Sequence, residues 1–390
     1  MPTLIEGLFG LYYHSMAKTI YVSDVPKREF MFMTFDGTVK RHISFRNLED
    51  LRRYLVTDPP LHAYYSVSLY MNPTAPMDEK GMIRAELLFD IDSTDFNDEV
   101  CEKDSLWRCK ECGTAGKGVK PRRCPKCGSD RLEVNHWLNE RCMELAKMEV
   151  RKLVDILSSE LDVDIKKIAI SYTGNRGFHV RVTEGPLTTL GREERREICF
   201  FIMGRDFDPF SLIQITRDGM AVLPSPVGGV LSRAIKFMLT NLDDMKVPRS
   251  LRPKLKAFLG EGKPIRLNSR ERKIVIDKLK EAASKTGVRI DWMVTMDTGR
   301  LTRIPNSLHG KTGFRALSLT FDECLLFNPF TDAIGLPPEP EVPVRITLEV
   351  PKFHLKEDSF GPFKPGEEIR LPGHAGIFLV LRGRAQLLES

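Results

Sequence analysis

The sequence contains no long hydrophobic run. No stretch approaches the roughly 18 uninterrupted apolar residues that a membrane-spanning helix needs. Its first ten residues, MPTLIEGLFG, lack the basic start and apolar run of a secretory signal. We therefore expect a soluble, intracellular and cytoplasmic protein with no membrane partner.

Cysteine is scarce, and neither sign of charge dominates. Eight cysteines in 390 residues are too few for a disulfide scaffold, but four of them form two tight pairs, which in a reducing compartment indicates a metal site. The 59 Lys and Arg against 53 Asp and Glu leave a net charge of +6, which permits a polyanionic partner without requiring one. The 42% hydrophobic content suffices for a substantial core, and the length suggests two or three structural units.

Apolar periodicity and short apolar runs outline the secondary structure. Residues 4–16 and 135–161 have apolar side chains at helical spacing, so both are predicted to be amphipathic helices. The predicted β-structure comprises strands at 28–35, 84–92, 288–295 and 314–320, a hairpin at 167–182, and the β-like segment IFLVLRG at 377–383.

These elements predict an α/β fold of the α+β type whose core sheet is assembled from segments distant in sequence. Residues 101–131 are rich in Cys, Gly and Lys and poor in large aliphatic residues, as in a small insert that a metal stabilises. The predicted domains are a discontinuous core (1–100, 132–185 and 286–335), a zinc-binding insert (101–131), a helical subdomain (186–285), and a proline-rich connector with a β-like tail (336–390).

Two aspartates end the apolar strand LLFDID. Strand alternation places Asp90 and Asp92 on one face, where two close carboxylates repel each other unless a cation lies between them. Hard divalent cations such as Mg²⁺ prefer these ligands and commonly bridge them to substrate phosphates. We therefore predict a metal site at Asp90 and Asp92, and helix-capping roles for Asp95 and Asp98.

A rival interpretation uses the same residues. DIDST (90–94) also fits the D-x-D-x-T start of haloacid-dehalogenase-like phosphatases, in which the first aspartate, here Asp90, is a nucleophile. Such enzymes need a later lysine and a second acidic pair, and only Asp243 and Asp244 offer a pair, within a helical and basic region. This interpretation ranks second.

The paired cysteines have the spacing of a zinc ribbon. Two C-x2-C knuckles, each followed by glycine, are separated by eleven residues. Four thiolates leave no open coordination position, so the predicted Zn²⁺ is structural. Cys101 is an alternative ligand, and Cys142, Cys199 and Cys324 are assigned to apolar packing. The predicted zinc ligands are Cys109, Cys112, Cys124 and Cys127.

Two loops concentrate basic residues. TGNRGFH (173–179) forms the turn of the predicted hairpin, and its two glycines permit close approach of the backbone to phosphate. RLTRIPNSLHGKTG (300–313) carries Arg300, Arg303, His309 and Lys311. Each loop alone is weak evidence, but an acidic metal pair with two basic loops is what a metal-bound triphosphate requires.

At these residues the sequence resembles the small catalytic subunit of archaeal and eukaryotic DNA primases, and more closely the archaeal ones. The resemblance extends over most of the chain. Its motifs occur in the family's order: Tyr12-Tyr13, REF-x-F (28–32) with Arg41 downstream, FDID-x-TD (89–95), the cysteine cluster, [ST]-G-x-RG-x-H (173–179), a late strand Asp, P-x-S-x-H-x-KTG (305–313) and F-x-PFT (327–331).

The resemblance implies a primase fold with an RRM-like element and catalytic Mg²⁺ or Mn²⁺ held by Asp90, Asp92 and a third carboxylate. By its position relative to His309 that third residue is Asp291, with Asp297 as the alternative. The nucleotide-binding residues that the resemblance implies are Thr173, Gly174, Asn175, Arg176, His179, Arg303 and His309, with Glu29 and Arg41 as additional contacts.

The implied activity is template-directed primer synthesis on single-stranded DNA from nucleoside triphosphates, by two-metal nucleotidyl transfer in DNA replication. The implied partners are a primase large subunit, forming a heterodimer, and the replication machinery. A second rival is a non-catalytic zinc-ribbon nucleic-acid-binding protein, in which the aspartates would be a surface feature.

Overall fold

The protein is described from a computed structural model, in which residues 3–96 and 98–388 are placed. Helices and strands are interspersed along the whole chain. The α-helices are α1 (Leu4–Met16), α2 (Leu48–Thr57), α3 (Glu99–Glu102), α4 (Glu140–Ser159), α5 (Arg192–Met203), α6 (Pro209–Leu212), α7 (Gly229–Thr240), α8 (Arg252–Leu255), α9 (Ser269–Thr286), α10 (Trp292–Met296), α11 (Phe321–Leu326), α12 (Pro329–Asp332) and α13 (Gly373–Leu381).

The strands are mostly short and antiparallel. They are β1 (Phe30–Met33), β2 (Val39–Ile43), β3 (His62–Ser66), β4 (Ser68–Tyr70), β5 (Met82–Ala85), β6 (Leu87–Asp92), β7 (Leu106–Cys109), β8 (Ala115–Lys117), β9 (Leu132–Asn135), β10 (Ile168–Tyr172), β11 (Gly177–Val182), β12 (Gln214–Ile215), β13 (Ala221–Val222), β14 (Leu301–Arg303), β15 (Leu317–Leu319), β16 (Val342–Ile346), β17 (Phe353–Leu355), β18 (Asp358–Phe360), β19 (Glu368–Leu371) and β20 (Ala385–Leu387).

The chain divides into two compact units. The first comprises the described residues within Met1–Arg151, Lys166–Leu190 and Asp297–Ser390, and the second comprises Lys152–Ile165 and Gly191–Met296. The segment predicted to be a helical subdomain (186–285) falls almost wholly within the second unit. The predicted tail (336–390) lies in the first unit rather than forming one of its own.

Two four-stranded sheets organise the first unit. One has the order β14-β3-β1-β2, and the other has the order β15-β10-β11-β6. Because β6 and β10 are both antiparallel to β11, they run parallel to each other on its two sides. The connection from β6 to β10 passes through α4, so these elements form a split β-α-β unit, which is the predicted RRM-like element.

A buried ion-pair network supports strand β6. The carboxylate of Glu86, the residue before β6, lies 2.5 Å from a guanidinium nitrogen of Arg28 and 2.5 Å from one of Arg181 on β11. Both arginines also lie over the ring of Tyr65 on β3. The network links the two sheets at the start of β6. Removing one partner would leave a buried charge uncompensated and would therefore destabilise this link.

Most of the predicted elements are confirmed, including the N-terminal helix and the hairpin β10-β11. Strand 84–92 is divided into β5 and β6 at Glu86. The strand predicted at 288–295 is wrong, because the side chain of Asp291 accepts a hydrogen bond from the Met293 amide (2.9 Å) and the chain continues as helix α10.

The β-like segment predicted at 377–383 is also wrong, since it forms the end of helix α13 and the turn that follows. Seven of the nine residues of α13 are buried, so the helix is apolar on all sides and has no periodicity to distinguish it from a buried strand. A Cβ at Gly376 would lie 2.2 Å from a methyl carbon of Val342 on β16. This glycine therefore allows α13 to pack directly on the sheet β19-β16-β20.

The second unit is built mainly from helices around its own core. Helix α9 begins with a capping box in which Asn268 and Glu271 satisfy each other's backbone amides. The core consists mainly of aliphatic side chains from α7, α8 and α9, among them Leu231, Met238, Leu255, Val275 and Leu279. Among the described residues, no helix is long and apolar enough to cross a membrane.

Candidate functional site

Asp90 and Asp92 lie at the end of β6, on the face opposite the buried Leu87, Phe89 and Ile91. Their side chains are 23% and 32% exposed, whereas Phe89 and Ile91 are fully buried. In the antiparallel register Asp90 faces His179 and Asp92 faces Gly177. The alternation predicted from the sequence therefore presents both carboxylates on one side of the sheet.

The Asp92 carboxylate is held in place by its neighbours. Its Oδ1 accepts hydrogen bonds from the backbone amide (2.9 Å) and the hydroxyl (2.8 Å) of Thr94. Its Oδ2 lies 3.6 Å from a guanidinium nitrogen of Arg176. Asp98 caps α3 by accepting from the Val100 amide, as predicted, whereas Asp95 lies in a short 3₁₀ turn.

His179 joins the two sheets beside Asp90. Its Nε2 lies 3.6 Å from Asp90 Oδ1, and its Nδ1 lies 2.8 Å from the hydroxyl of Thr302 on β14. Burial, together with the positive charges of Arg181 and Arg303, lowers the pKa of His179 to about 3. The ring is therefore neutral at pH 7 and contributes a hydrogen-bonding group rather than a charge.

The two basic loops are in direct contact. Gly174 adopts a φ of +84°, and a Cβ there would lie 2.8 Å from the Cβ of His309. The hydroxyl of Thr312 donates to the Gly174 carbonyl at 2.6 Å. A larger residue at position 174 would be strained and would push the loops apart, so this glycine enables their contact.

Arg303 is fixed by two residues of β3. It donates to the Tyr64 hydroxyl (2.7 Å) and to His62 Nδ1 (3.1 Å). The same nitrogen of His62 accepts from the Gly310 amide, and burial with the nearby Arg303 and Lys311 lowers the pKa of His62 to about 3. His62 was not identified from the sequence, because no motif marks a histidine that acts through another residue.

His309 is buried and neutral. Its Nδ1 accepts from the Lys311 amide at 3.0 Å, so we assign the proton to Nε2. Burial, followed by the charges of Arg303 and Lys311 and the neighbouring His62, lowers the pKa of His309 well below its usual value. His309 therefore contributes no positive charge to the expected triphosphate site, and that charge comes from arginine and lysine side chains.

A cavity of about 310 Å³ opens next to Arg176. Burial and the charges of Arg176, Arg382 and Arg303 lower the pKa of Lys311, while the Asp92 carboxylate acts in the opposite direction. Neither Lys311 nor Arg382 is among the nucleotide-binding residues predicted from the sequence. Lys311 belongs to a loop recognised as basic, whereas Arg382 lies in a segment without any recognised motif. The polar side chains lining the cavity are those of Asn135, His136, Asn175, Arg176, Lys311 and Arg382.

The remaining nucleotide candidates occupy different settings. Thr173 donates to the Gly177 carbonyl within its own turn, and Asn175 lines the cavity. The Glu29 side chain has no exposed surface and forms ion pairs with Lys80 (3.0 Å) and Arg41 (3.2 Å). A carboxylate buried in this way orients the half-exposed Arg41, and the direct contact of Glu29 with a nucleotide stays a prediction.

The two candidates for the third carboxylate lie in different units. Asp291 belongs to the second unit, where it is half-buried and caps the start of α10. Asp297 belongs to the first unit, is exposed, and accepts from the Gly299 amide in a turn. Each aspartate is thus bound to local backbone, and the assignment of Asp291 remains a prediction.

The four cysteines form a compact cluster within the sheet β8-β7-β9 and its loops. All four Sγ atoms lie within 4.8 Å of one another. Gly113 and Gly128 have φ values of +72° and +74°, and their amides donate back to the carbonyls of Cys109 and Cys124. Two such knuckles facing each other fit a tetrahedral metal site.

Two other cysteines correct the sequence prediction. Cys101, considered as a zinc ligand, and Cys142, assigned to apolar packing, form a disulfide with each other. It joins α3 to α4 and so closes the stem of the cysteine-rich insert. Cys199 and Cys324 are free and buried, as predicted.

Comparison with known proteins gives consistent results. A sequence profile of the family described as DNA primase small subunit matches residues 135–321. The DNA primase small subunit PriS of Pyrobaculum arsenaticum is 33% identical over 319 residues, covering 81% of this chain and 78% of the relative. The PriS proteins of Nitrosopumilus maritimus (28%, 98% of both chains) and Archaeoglobus fulgidus (30%, 92% of this chain and 90% of the relative) are also similar.

Proposed function

Because the chain belongs to the DNA primase small subunit family, we propose that the β6 aspartates and the adjoining basic cavity form the nucleotidyl-transfer site of a DNA primase catalytic subunit. The observation that carries this proposal is the placement of Arg176 and His179 at 3.6 Å from Asp92 and Asp90, with Lys311 close enough for Asp92 to raise its pKa. The phosphatase and the non-catalytic zinc-ribbon alternatives have no support from these relatives.

The carboxylate pair fits a divalent metal. Asp90 and Asp92 present oxygen ligands on one half-exposed face, and with Asp291 they would hold Mg²⁺ or Mn²⁺. Such metals lower the pKa of an attacking hydroxyl and stabilise charge on the departing oxygen. Four thiolates suit Zn²⁺ and leave no position for substrate, so the cysteine cluster is structural.

The reaction is the attack of a nucleotide 3′-hydroxyl on the α-phosphorus of a second nucleoside triphosphate. A new phosphorus–oxygen bond forms, the bond to the β-phosphate bridging oxygen breaks, and pyrophosphate and a proton leave. Arg176, Lys311 and Arg303 supply fixed positive charge for the triphosphate. His179 and His309, which are neutral, supply hydrogen bonds, and Thr94 and Thr302 orient Asp92 and His179.

A partner subunit follows from the requirements of initiation. Starting a primer without an existing end requires two nucleotides to be held on single-stranded template DNA at once, whereas the basic cavity described beside the aspartates accounts for one triphosphate. The relatives are named small subunits. We infer that this chain forms a heterodimer with a primase large subunit and acts with the replication machinery in an archaeal-type cell.

The central test is primer synthesis by aspartate variants. The protein is incubated with single-stranded DNA, labelled nucleoside triphosphates and Mg²⁺ or Mn²⁺, and template-dependent oligomers are measured. Asp90→Asn and Asp92→Asn should reduce incorporation to background while leaving the fold intact, since removing a carboxylate relieves repulsion in the metal-free site. Asp291→Asn should behave in the same way.

Asp98→Asn is the matched control, since Asn caps α3 as well as Asp does. It should synthesise oligomers at the wild-type rate. Near wild-type synthesis by Asp90→Asn or Asp92→Asn would refute the metal assignment. An inactive Asp297→Asn together with an active Asp291→Asn would move the third ligand to Asp297.

A further inference from the structure

Arg382 lies at the C-terminal end of α13, in a part of the chain to which no motif assigns a role and which lies outside the residues that the family profile matches. Its side chain is 9% exposed and lines the basic cavity. One Nη donates to Asn175 Oδ1 at 3.1 Å, and the other donates to the His136 carbonyl. Its Nε has no hydrogen-bond partner among residues 3–96 and 98–388.

Arg384, two residues further on, is a structural arginine in the same segment and serves as a comparison. Its Nε donates to Asn135 Oδ1 at 2.7 Å, and its two Nη atoms donate to the carbonyls of Glu349 (2.5 Å) and Asp104 (3.0 Å). All three nitrogens of Arg384 therefore have protein acceptors. Arg382, in contrast, has a buried Nε without an acceptor in the described part of the chain, as does Arg176, which lines the same cavity.

The charges around the cavity are unbalanced. Arg382 shares it with Arg176 and Lys311, and Arg176 lies 3.6 Å from the Asp92 carboxylate. Burial, together with Arg176 and Arg384, lowers the pKa of Arg382 to about 9. A second carboxylate, that of Glu102, is close enough for Arg176 to lower its pKa and is held 3.0 Å from His136 Nδ1. Three cations still outnumber the two carboxylates, and this excess of positive charge favours an anion that carries several negative charges.

We propose that Arg382 binds the phosphate groups of the incoming nucleotide, so that the C-terminal segment completes the triphosphate pocket. The inference rests on the proposed function, because it identifies the anion as the triphosphate that the aspartates act on. Its contact with Asn175 gives Arg382 a second effect, which is to fix the turn that carries Arg176. The guanidinium is planar and offers several donors, which suits a phosphate better than an ammonium does.

The test compares binding of ATP with binding of AMP, each measured with Mg²⁺ by titration calorimetry or by competition. Arg382→Ala should weaken ATP binding about 10- to 100-fold, as expected for loss of a charge-assisted phosphate contact. AMP lacks the β- and γ-phosphates, so its affinity should change less than about threefold. Arg382→Lys keeps the charge and should give an intermediate loss for ATP.

Two controls separate binding from folding. Arg384→Ala removes the neighbouring structural arginine and should lower the unfolding midpoint without changing the ratio of ATP to AMP affinity. Arg345→Ala removes an exposed arginine that pairs with Glu368 and should change neither quantity. If Arg382→Ala does not fold, Arg382→Lys is tested instead by the increase in unfolding midpoint that inorganic tripolyphosphate produces, which should be smaller than in the wild type.

An equal loss of ATP and AMP affinity in Arg382→Ala, or an unchanged ATP affinity, would overturn the proposal. The proposal would also be overturned if tripolyphosphate raised the unfolding midpoint of Arg382→Lys as much as that of the wild type. These outcomes leave the proposed function standing as long as Asp90→Asn abolishes synthesis. Conversely, an active Asp90→Asn enzyme would refute the proposed function whatever the result at Arg382.

Discussion

The cysteine cluster and the proposed nucleotide site are both suited to charged ligands, but they are assembled in opposite ways. The cluster takes four thiols from residues 109–127, within one small three-stranded sheet. The proposed nucleotide site takes its side chains from β6, the β10-β11 turn, β14, the loop at 305–313 and the end of α13. We therefore expect the first to depend on a metal for its stability and the second to depend on the packing of two sheets.

The difference predicts that each site can be lost without the other. Replacing Cys112 by Ser removes one of four zinc ligands, and structural zinc in isolated fingers contributes about 10 kcal/mol or more of folding free energy. We expect loss of the roughly one zinc bound per chain and faster amide hydrogen exchange in residues 101–131. ATP affinity should remain within about threefold of the wild type.

Cys199→Ser, which changes a free buried cysteine outside the cluster, is the control and should retain zinc. A native protein without zinc would refute the ribbon. If Cys112→Ser abolished nucleotide binding while leaving hydrogen exchange unchanged, the cluster could not be called structural, and the separation of the two sites would fail.

Arg176→Ala should have a smaller effect, confined to the nucleotide site. A charge-assisted contact with phosphate contributes about 1.5 to 3 kcal/mol, so the Michaelis constant for nucleotides should rise by roughly one to two orders of magnitude. Zinc content and affinity for single-stranded DNA should change little. Steady-state kinetics at saturating template measures this effect.

Arg46→Ala is the control and removes an exposed arginine that pairs with Asp50 on α2. It should leave the Michaelis constant for nucleotides unchanged. Unaltered nucleotide dependence in Arg176→Ala would contradict the triphosphate site even if the aspartates prove essential.

The smallest effect concerns the stability of the nucleotide-site loops at acid pH. The folded protein holds the pKa of His62 near 3, while the unfolded chain has a value near 6.5. The unfolded state therefore takes up a proton first as the pH falls, and stability is lost below pH 6.5. At pH 5 the loss from His62 is up to about 2 kcal/mol.

His62→Asn keeps an acceptor for Arg303 and Gly310 but cannot be protonated. Urea unfolding of this variant should lose less stability between pH 6.5 and pH 5 than unfolding of the wild type. His14→Asn, on the exposed side of α1, should keep the wild-type pH dependence. An identical pH dependence in His62→Asn and the wild type would show that His62 is not held neutral.

The same contrast explains how much could be predicted from the sequence. The spacing of the cysteines and the alternation of Asp90 and Asp92 are local patterns, and the structure has them as predicted. Contacts between distant segments leave no local pattern. His62 acts through Arg303 across two strands, and Arg382 follows a helix whose uniform burial removes the periodicity by which helices are recognised.

The Cys101–Cys142 disulfide and the capping role of Asp291 could not be predicted for a related reason. A disulfide depends on the distance between two Cα atoms, 5.3 Å here, and no sequence spacing of 41 residues specifies that distance. Asp291 follows Val288 and Ile290, two residues of high β-propensity, but its side chain accepts from a backbone amide and starts a helix. Local hydrogen bonding outweighed propensity at that position.

The residues of the proposed nucleotide site lie far apart in the sequence, so a ribosome synthesises them at different times. About 290 residues separate Asp90 from Arg382, and ribosomes add about 5 to 20 residues per second. During the 15 to 60 s or so between their synthesis, a growing chain already carries its acidic strand but lacks the arginine that completes the basic cavity. The emerging protein therefore passes most of its synthesis without a finished form of the proposed triphosphate pocket, while the four cysteines of the expected zinc site are complete early.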